Sequence, residues 1–395
     1  METNMKNNEG RSFWGRIVAT LKKKRNKRIL GGVVIFVGLI LLFNMINDDV
    51  SPEGVSEGGR KRGEGVRIGI VLSQGGKGDK SFNDGAIAGL EKAKKELGIT
   101  YKDIEILDDS QNRISLEFLA KDGCDLVIGV GGLVKDLVKE TALKYPDTKF
   151  LLIDADYEGE ETPKNVCAMR FKDHEGSYLA GVLAAGISKT KKVGFIGGME
   201  LPVIHRFEGG YKAGVESVPG AELYTSYVAT DGSGFNNTDR GRELTFDFVS
   251  KGVDVVYTVA GNTGKGVFNA AESKGIKAIG VDSNQNWVKP GVIVASMFKK
   301  LDIAIYDACE SVVDKRFPGG TTKIYGLSDG GVGLTDLDKL EEEEIEGISE
   351  KEQKVIKDMK DAIPQRVKKN VQKAKEGIIE GSIIVPDWSV EGKPE

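Results

Sequence analysis

Cysteine and histidine are almost missing from this chain of 395 residues: there are three cysteines, Cys124, Cys167 and Cys309, and two histidines, His174 and His205. The cysteines are far apart and odd in number, and each sits close to apolar residues. They form no disulfide framework and no zinc spacing, and read as small buried hydrophobes. Two histidines in separate segments leave a histidine-built metal site or a Ser/His/Asp triad without support. Excess positive charge is also lacking. Lys and Arg total 56 against 60 Asp and Glu, a net charge of −4, which argues against bulk nucleic-acid binding. What remains is a composition of 39% hydrophobic and 29% charged residues, suited to a globular body of two or three domains.

One long uncharged run stands out. "ILGGVVIFVGLILLFNMIN" (29–47) follows the basic "LKKKRNKR" (21–28). About 19 residues at 1.5 Å each reach roughly 28 Å, close to the thickness of a bilayer core. The run predicts an N-terminal transmembrane helix. Residues 1–28 form a basic cytoplasmic tail, and everything after Asp48 lies outside the cell. A cleaved leader is the alternative, but the A-x-A-like site it would need is not seen. Residues 48–65, polar and rich in Gly and charge, read as a tether.

Beyond the tether the chain repeats itself. With residues 68–91 set over 193–216, Phe82 falls on Phe207, Gly85 on Gly210 and Gly89 on Gly214. Further on, Gly132 matches Gly261 and Asp154 matches Asp282. The period is the length of a domain, not of a solenoid repeat. The runs 66–72, 126–130, 149–153, 193–196, 253–259 and 278–281 are short and nearly continuously apolar, as strands buried on both faces are. Helical stretches 82–97, 133–145 and 263–274 lie between them. The prediction is α/β: two doubly wound Rossmann-like lobes, lobe 1 about 66–170 and lobe 2 about 171–290, joined by a hinge. Residues 291–395 would cross between the lobes and cover them, with a helical stretch over 351–380.

Ligands of such sheets sit beyond the carboxyl ends of the strands, so matching loops of the two lobes should face one cleft. The loop "GGKGDKSFNDG" (75–85) is glycine-rich but is not a Walker A loop: Asp79 follows Gly78 where phosphate would need a donor. "AGNTGKG" (260–266) ends in Gly266 where Ser or Thr belongs. A flat ligand suits the residues better. Phe82, and Phe207 in the same place at the start of a helix of the other lobe, could sandwich a planar ring. Asn83 offers a donor and an acceptor to its edge. Asp154 and Asp282 end strands and could accept hydrogen bonds from hydroxyls or ring N–H groups. Lys299 ends "ASMFKK" (295–300) and would balance them. Gly261 allows close backbone approach. The plain alternatives are core packing for the two rings, caps for the aspartates and a solvated surface position for Lys299. "NNT" (236–238) reads as a helix cap, and "EEEEIEG" (341–347) as a solvated acidic stretch.

The segments "GGKGDKSFNDGAIAGLEKA", "VGFIGGMELPVIHRFEGGYKAG", "AGNTGKGVFNAA", "IGVDSNQ" and "GLSDGGVGL" together resemble the basic-membrane-protein family of substrate-binding proteins, similar in layout to bacterial purine nucleoside receptor lipoproteins. The resemblance spans about 66–335. It implies a periplasmic-binding-protein type I-like fold serving an ABC importer, with a permease and an ATPase as partners and a nucleoside, purine favoured, as ligand. It further implies that Phe82 and Phe207 stack on the base, that Asn83 and Asp154 read its edge, and that Asp282, Lys299 and the backbone at Gly261 hold the ribose. Family members commonly carry a lipid-anchoring cysteine after a short apolar segment, whereas no cysteine precedes Cys124 here. The expectation is therefore a monomeric receptor tethered by an uncleaved helix, with no cofactor, no metal, no nucleic acid and no catalysis. The rival readings are a membrane-anchored nucleoside sensor of the same fold and a nucleoside hydrolase.

Overall fold

The computed structural model describes residues 61–157 and 159–394. The basic tail, the apolar run 29–47 and residues 48–60 of the tether lie outside the described residues. Among the described residues, no helix is long and apolar enough to cross a membrane.

Two six-stranded sheets organise the chain. The first holds β1 (Arg67–Leu72), β2 (Thr100–Glu105), β3 (Leu126–Val130), β4 (Lys149–Ile153), β5 (Val166–Phe171) and β11 (Thr321–Tyr325), in the order β11-β5-β4-β3-β1-β2, all parallel. The second holds β6 (Lys192–Gly197), β7 (Glu222–Tyr227), β8 (Val255–Val259), β9 (Lys277–Asp282), β10 (Ile293–Lys299) and β12 (Val332–Leu334), in the order β12-β10-β9-β8-β6-β7. Only the last, short strand runs antiparallel to its neighbour. Strand for strand the two orders are the same, which is the internal repeat seen in three dimensions. The central strands β3 and β8 are buried along their whole length, as the unbroken apolar runs require.

Helices cover both faces. In α1 (Phe82–Leu97) the buried Ala86, Leu90, Ala93 and Leu97 make one stripe at helical spacing within the core that also holds Ile68, Ile70 and Leu72 of β1, and Gly98 ends the helix in the left-handed conformation. The repeat glycines show how tightly the helices cross. A Cβ on Gly89 would lie 2.5 Å from the Asp302 carbonyl on α8 (Leu301–Val313). One on Gly214 of α5 (Pro202–Glu216) would lie 2.2 Å from the Tyr178 carbonyl on α4 (Asp173–Ile187).

The segment 291–395, expected to cross between the lobes and cover them, contributes elements to both. β10 completes the second sheet, α8 and β11 return to the first lobe, and β12 rejoins the second sheet. The chain thus passes between lobes after Phe171, after Lys299 and between Tyr325 and Val332, and these adjacent crossings form the hinge. The predicted helical stretch 351–380 is two helices, α9 (Glu350–Asp361) and α10 (Gln365–Ile379). Pro364 parts them, because it offers no N–H and keeps the residue before it out of helical geometry. Asn237 does cap a helix, α6 (Thr238–Ser250), accepting from the Arg240 N–H. The acidic stretch 341–347 is not wholly solvated. Glu344 is buried, pairs with the equally buried Lys360 at 2.7 Å and accepts from Asn286 Nδ2 at 2.5 Å.

Candidate functional site

The loop between β1 and α1 is organised around carboxylates. Asp79, only 2% exposed, accepts from the backbone N–H groups of Ser81 (2.9 Å), Asn83 (2.9 Å) and Asp84 (3.1 Å). Asp84 folds back onto the N–H groups of Gly78 (2.6 Å) and Lys80 (3.0 Å). The donors that a phosphate would need at this helix start are thus taken by the chain's own anions. Burial pushes the Asp79 carboxyl up to about 6, against the backbone donors that favour its charge.

This loop presents Phe82 to a cavity between the lobes with an empty volume of about 680 Å³, open solvent included. All seven residues singled out in the sequence line it: Phe82, Asn83 and Asp154 from the first lobe, Phe207, Gly261, Asp282 and Lys299 from the second. Phe207 differs from its expected place at a helix start. Its helix begins at Pro202, so the ring lies in the second turn and is 1% exposed, while Phe82 opens its own helix and is only partly buried. The amide of Asn83 is already engaged. Its Oδ1 accepts from Ser73 N–H (3.0 Å) and from Ser73 Oγ (3.1 Å), and its Nδ2 donates to Asp79 at 3.0 Å. It binds the loop to the end of β1 and borders the cavity at the same time.

Asp154 and Asp282 are the repeat-matched pair, and both adopt positive φ, +63° and +69°. Left-handed backbone costs an ordinary residue about 1–2 kcal/mol, and Asp is among the few that visit it routinely. The same strained turn at the end of β4 and of β9 aims both carboxylates at one space. Such strain persists where surrounding structure enforces it, and it concentrates at ligand sites.

Lys299 joins them. Its side chain is 2% exposed, which rules out the surface alternative. The ammonium contacts Asp154 directly, Asp282 at 3.3 Å and Asp173 at 3.8 Å. It lies over the Phe82 ring at 4.5 Å and the Phe207 ring at 5.1 Å. Burial alone would lower the Lys299 pKa; the carboxylates of Asp154, Asp173 and Asp282 reverse this and hold it above its usual value. Burial pushes Asp173 up to about 7 despite the Lys299 and Arg206 cations. Oδ1 of Asp154 is buried and has no hydrogen-bond partner among the described residues.

The remaining lining includes the apolar Leu201, Val203 and Ile204 at the start of α5 and Phe235, besides the polar Ser73, Gln74 and Asp79. Sequence reasoning missed the apolar residues, and their only signal was position: they stand at helix starts and loops on the carboxyl side of strands. Gly261 has φ +52°, and a Cβ there would lie 3.3 Å from the Phe235 carbonyl, so glycine suits both backbone and space. The cavity therefore brings two rings and aliphatic side chains together with a charged Lys–Asp cluster, the Lys299 ammonium lying against both rings. That arrangement suits a ligand with a flat apolar part and a hydroxyl-bearing part.

Two matching α/β lobes, adjacent crossings and a cleft lined from both sides define a two-lobed solute-binding protein. A solute-binding protein of an ABC transporter system from Aeropyrum pernix has the same architecture, with a TM-score of 0.74 and 29% identity over 81% of this chain and 94% of that one. Residues 67–365 match the family described as ABC transporter substrate-binding protein PnrA-like, and the chain belongs to that family. Among its relatives are the CD4+ T-cell-stimulating antigen of Listeria innocua, 32% identical over 85% of this chain and 97% of the relative, and the ABC transporter nucleoside-binding protein BmpA of Lactococcus lactis, 33% identical over 81% and 89%.

Proposed function

We propose that this chain is the extracytoplasmic receptor of an ABC importer, that it closes on a nucleoside, purine favoured, and that it hands the nucleoside to a membrane permease driven by an ATPase. The observation that carries the reading is the convergence of Phe82, Phe207 and the Asp154–Lys299–Asp282 cluster on one inter-lobe cavity. Both ring centres lie near a single ammonium, so the rings border the same space. A base stacked there gains about 1–3 kcal/mol per aromatic. Asp154, whose Oδ1 has no hydrogen-bond partner among the described residues, faces the edge of the base. Asp282 and Lys299 meet the ribose hydroxyls, which exchange with the internal ion pair at little net change in hydrogen bonding. Because the ligand touches both lobes only when they are closed, its binding free energy shifts the hinge equilibrium. The relatives support transport, and the nucleoside-binding name of the Lactococcus lactis protein supports the ligand class. Tethering by the N-terminal segment keeps the receptor near its permease.

Calorimetry of the full-length protein with guanosine, adenosine, cytidine and uridine tests the reading. Micromolar or tighter binding of a purine nucleoside, with pyrimidines weaker, is expected. Failure of all four to bind would remove the nucleoside assignment and leave only the solute-binding class.

A further inference from the structure

We infer that Gln285 is a positioning residue for ligand capture: it latches the lobes together by gripping the backbone carbonyl of Lys80, without touching the ligand. Lys80 belongs to the first lobe and has φ +57°, unusual for a lysine. Its carbonyl accepts from Gln285 Nε2 at 2.7 Å and from Ser283 Oγ at 3.0 Å, both on the second lobe. Flanking contacts run the same way. Ser81 Oγ donates to Asp282 Oδ2 at 2.5 Å, and Lys265 Nζ donates to the Gly78 carbonyl at 2.5 Å. None of Lys80, Lys265, Ser283 and Gln285 lines the cavity that holds Phe82 and Phe207.

Both halves of the latch are preorganised. Gln285 is 2% exposed; its Oε1 accepts from the Val281 N–H at 2.8 Å, and its own N–H donates to Ser296 Oγ at 3.0 Å. The direction of its amide is thus decided inside the second lobe, and the NH₂ end is left to face the first. Gly280 makes room for this, since a Cβ there would lie 2.7 Å from Gln285 Oε1. On the other side, Asp79 and Asp84 tie down the loop through Ser81, Gly78 and Lys80 N–H groups. Little freedom is lost when two such surfaces meet. The contacts are protein to protein, so they favour the closed form whatever ligand is present. A larger closed fraction raises apparent affinity in proportion. Phe82 follows Ser81 directly, so closing the latch also delivers the first ring to the cavity.

The test uses the full-length protein with spin labels on cysteines introduced by Lys121→Cys and Lys274→Cys, exposed positions on opposite lobes. Inter-lobe distances are read by double electron–electron resonance. Gln285→Met keeps the bulk and removes the donor; distances should lengthen in ligand-free protein, together with a lowered thermal midpoint, because the buried Val281 N–H also loses its acceptor. Ser283→Ala should shift them the same way by less. Lys80→Gly keeps the carbonyl and relaxes the backbone, and should keep the wild-type distances. In the binding arm, which rests on the nucleoside reading above, Gln285→Met should weaken guanosine about five- to tenfold, mainly through faster dissociation. Unchanged distances in Gln285→Met, or a lowered midpoint with unchanged distances, would overturn the latch, as would opening of Lys80→Gly. If wild-type protein binds no nucleoside, the receptor reading fails while the distance comparison still decides the latch.

Discussion

Replacing Lys299 by Met should be the most damaging single change at the site, even before ligand is added. The side chain is 2% exposed and neutralises Asp154, Asp173 and Asp282, themselves 5%, 0% and 11% exposed. Met keeps most of the volume, so little cavity opens and the effect is electrostatic. Three carboxylates are then left together, with Arg206, 3.3 Å from Asp173, as the neighbouring cation. Removing one partner of a buried ion pair costs about 3–5 kcal/mol. The variant can recover part of this by taking up a proton, each tenfold gain in proton affinity being worth about 1.4 kcal/mol. Folded variant then binds protons more readily than unfolded variant, so its stability falls as pH rises. Urea unfolding of ligand-free protein should show a deficit of about 3 kcal/mol at pH 8, shrinking toward about 1 kcal/mol at pH 5. Adding Asp282→Asn to Lys299→Met should restore at least about 1 kcal/mol at pH 8. A deficit below about 1 kcal/mol at pH 8, or one that grows on acidification, would refute the charge argument.

Phe82→Ala and Phe207→Ala should each weaken nucleoside binding about ten- to a hundredfold by calorimetry; only Phe207→Ala, removing a ring that is 1% exposed, should also lower stability by about 3 kcal/mol or more in urea. Unchanged affinity in both would end the sandwich reading. The repeat-matched glycines should behave differently: a Cβ on Gly210 would lie 2.1 Å from the His174 carbonyl, whereas on Gly85 the nearest atom is Leu301 Cβ at 3.8 Å. Gly210→Ala should therefore unfold at clearly lower urea, and Gly85→Ala should be neutral or gain about 0.5–1 kcal/mol. Burial holds His174 down at about 4, although Asp387 and Glu175 pull the other way. The folded state then binds fewer protons than the unfolded one, so its stabilising contribution is full above about pH 6.5 and is lost as pH falls toward 4, by up to about 3 kcal/mol. His174→Gln should remove that slope. The readout is the difference from wild type, because Asp79 and Asp173, both raised by burial, act in the opposite sense over the same range.

Much of the architecture was legible because the signals are local or repeated. Continuous apolar runs marked β1, β3, β4, β6, β8 and β9, all interior strands covered on both faces. The outer strands Thr100–Glu105 and Glu222–Tyr227 were not marked. They are half exposed, and their sequences "TYKDIE" and "ELYTSY" mix polar residues without a clean alternation. Val166–Phe171, "VCAMRF", is buried but was also passed over, its apolar run being interrupted by Arg170. At the site, placement at strand ends was enough to single out Asp154, Asp282 and Lys299, since parallel strands bring their carboxyl ends to one edge.

From the sequence alone came the number of lobes, their α/β class and the short set of residues whose positions repeat or end strands, because covalent order and burial periodicity are written along the chain. Only the tertiary structure decided which of those residues touch and what else they hold: Lys299 among three aspartates, Asn83 drawn into its own loop, Glu344 paired with Lys360, Gln285 reaching across to Lys80. These contacts join segments tens to hundreds of positions apart. They form because two sheets, each folded by its own apolar strands, carry polar side chains into a shared low-dielectric space, where an unpaired charge or donor is costly enough to dictate its partner.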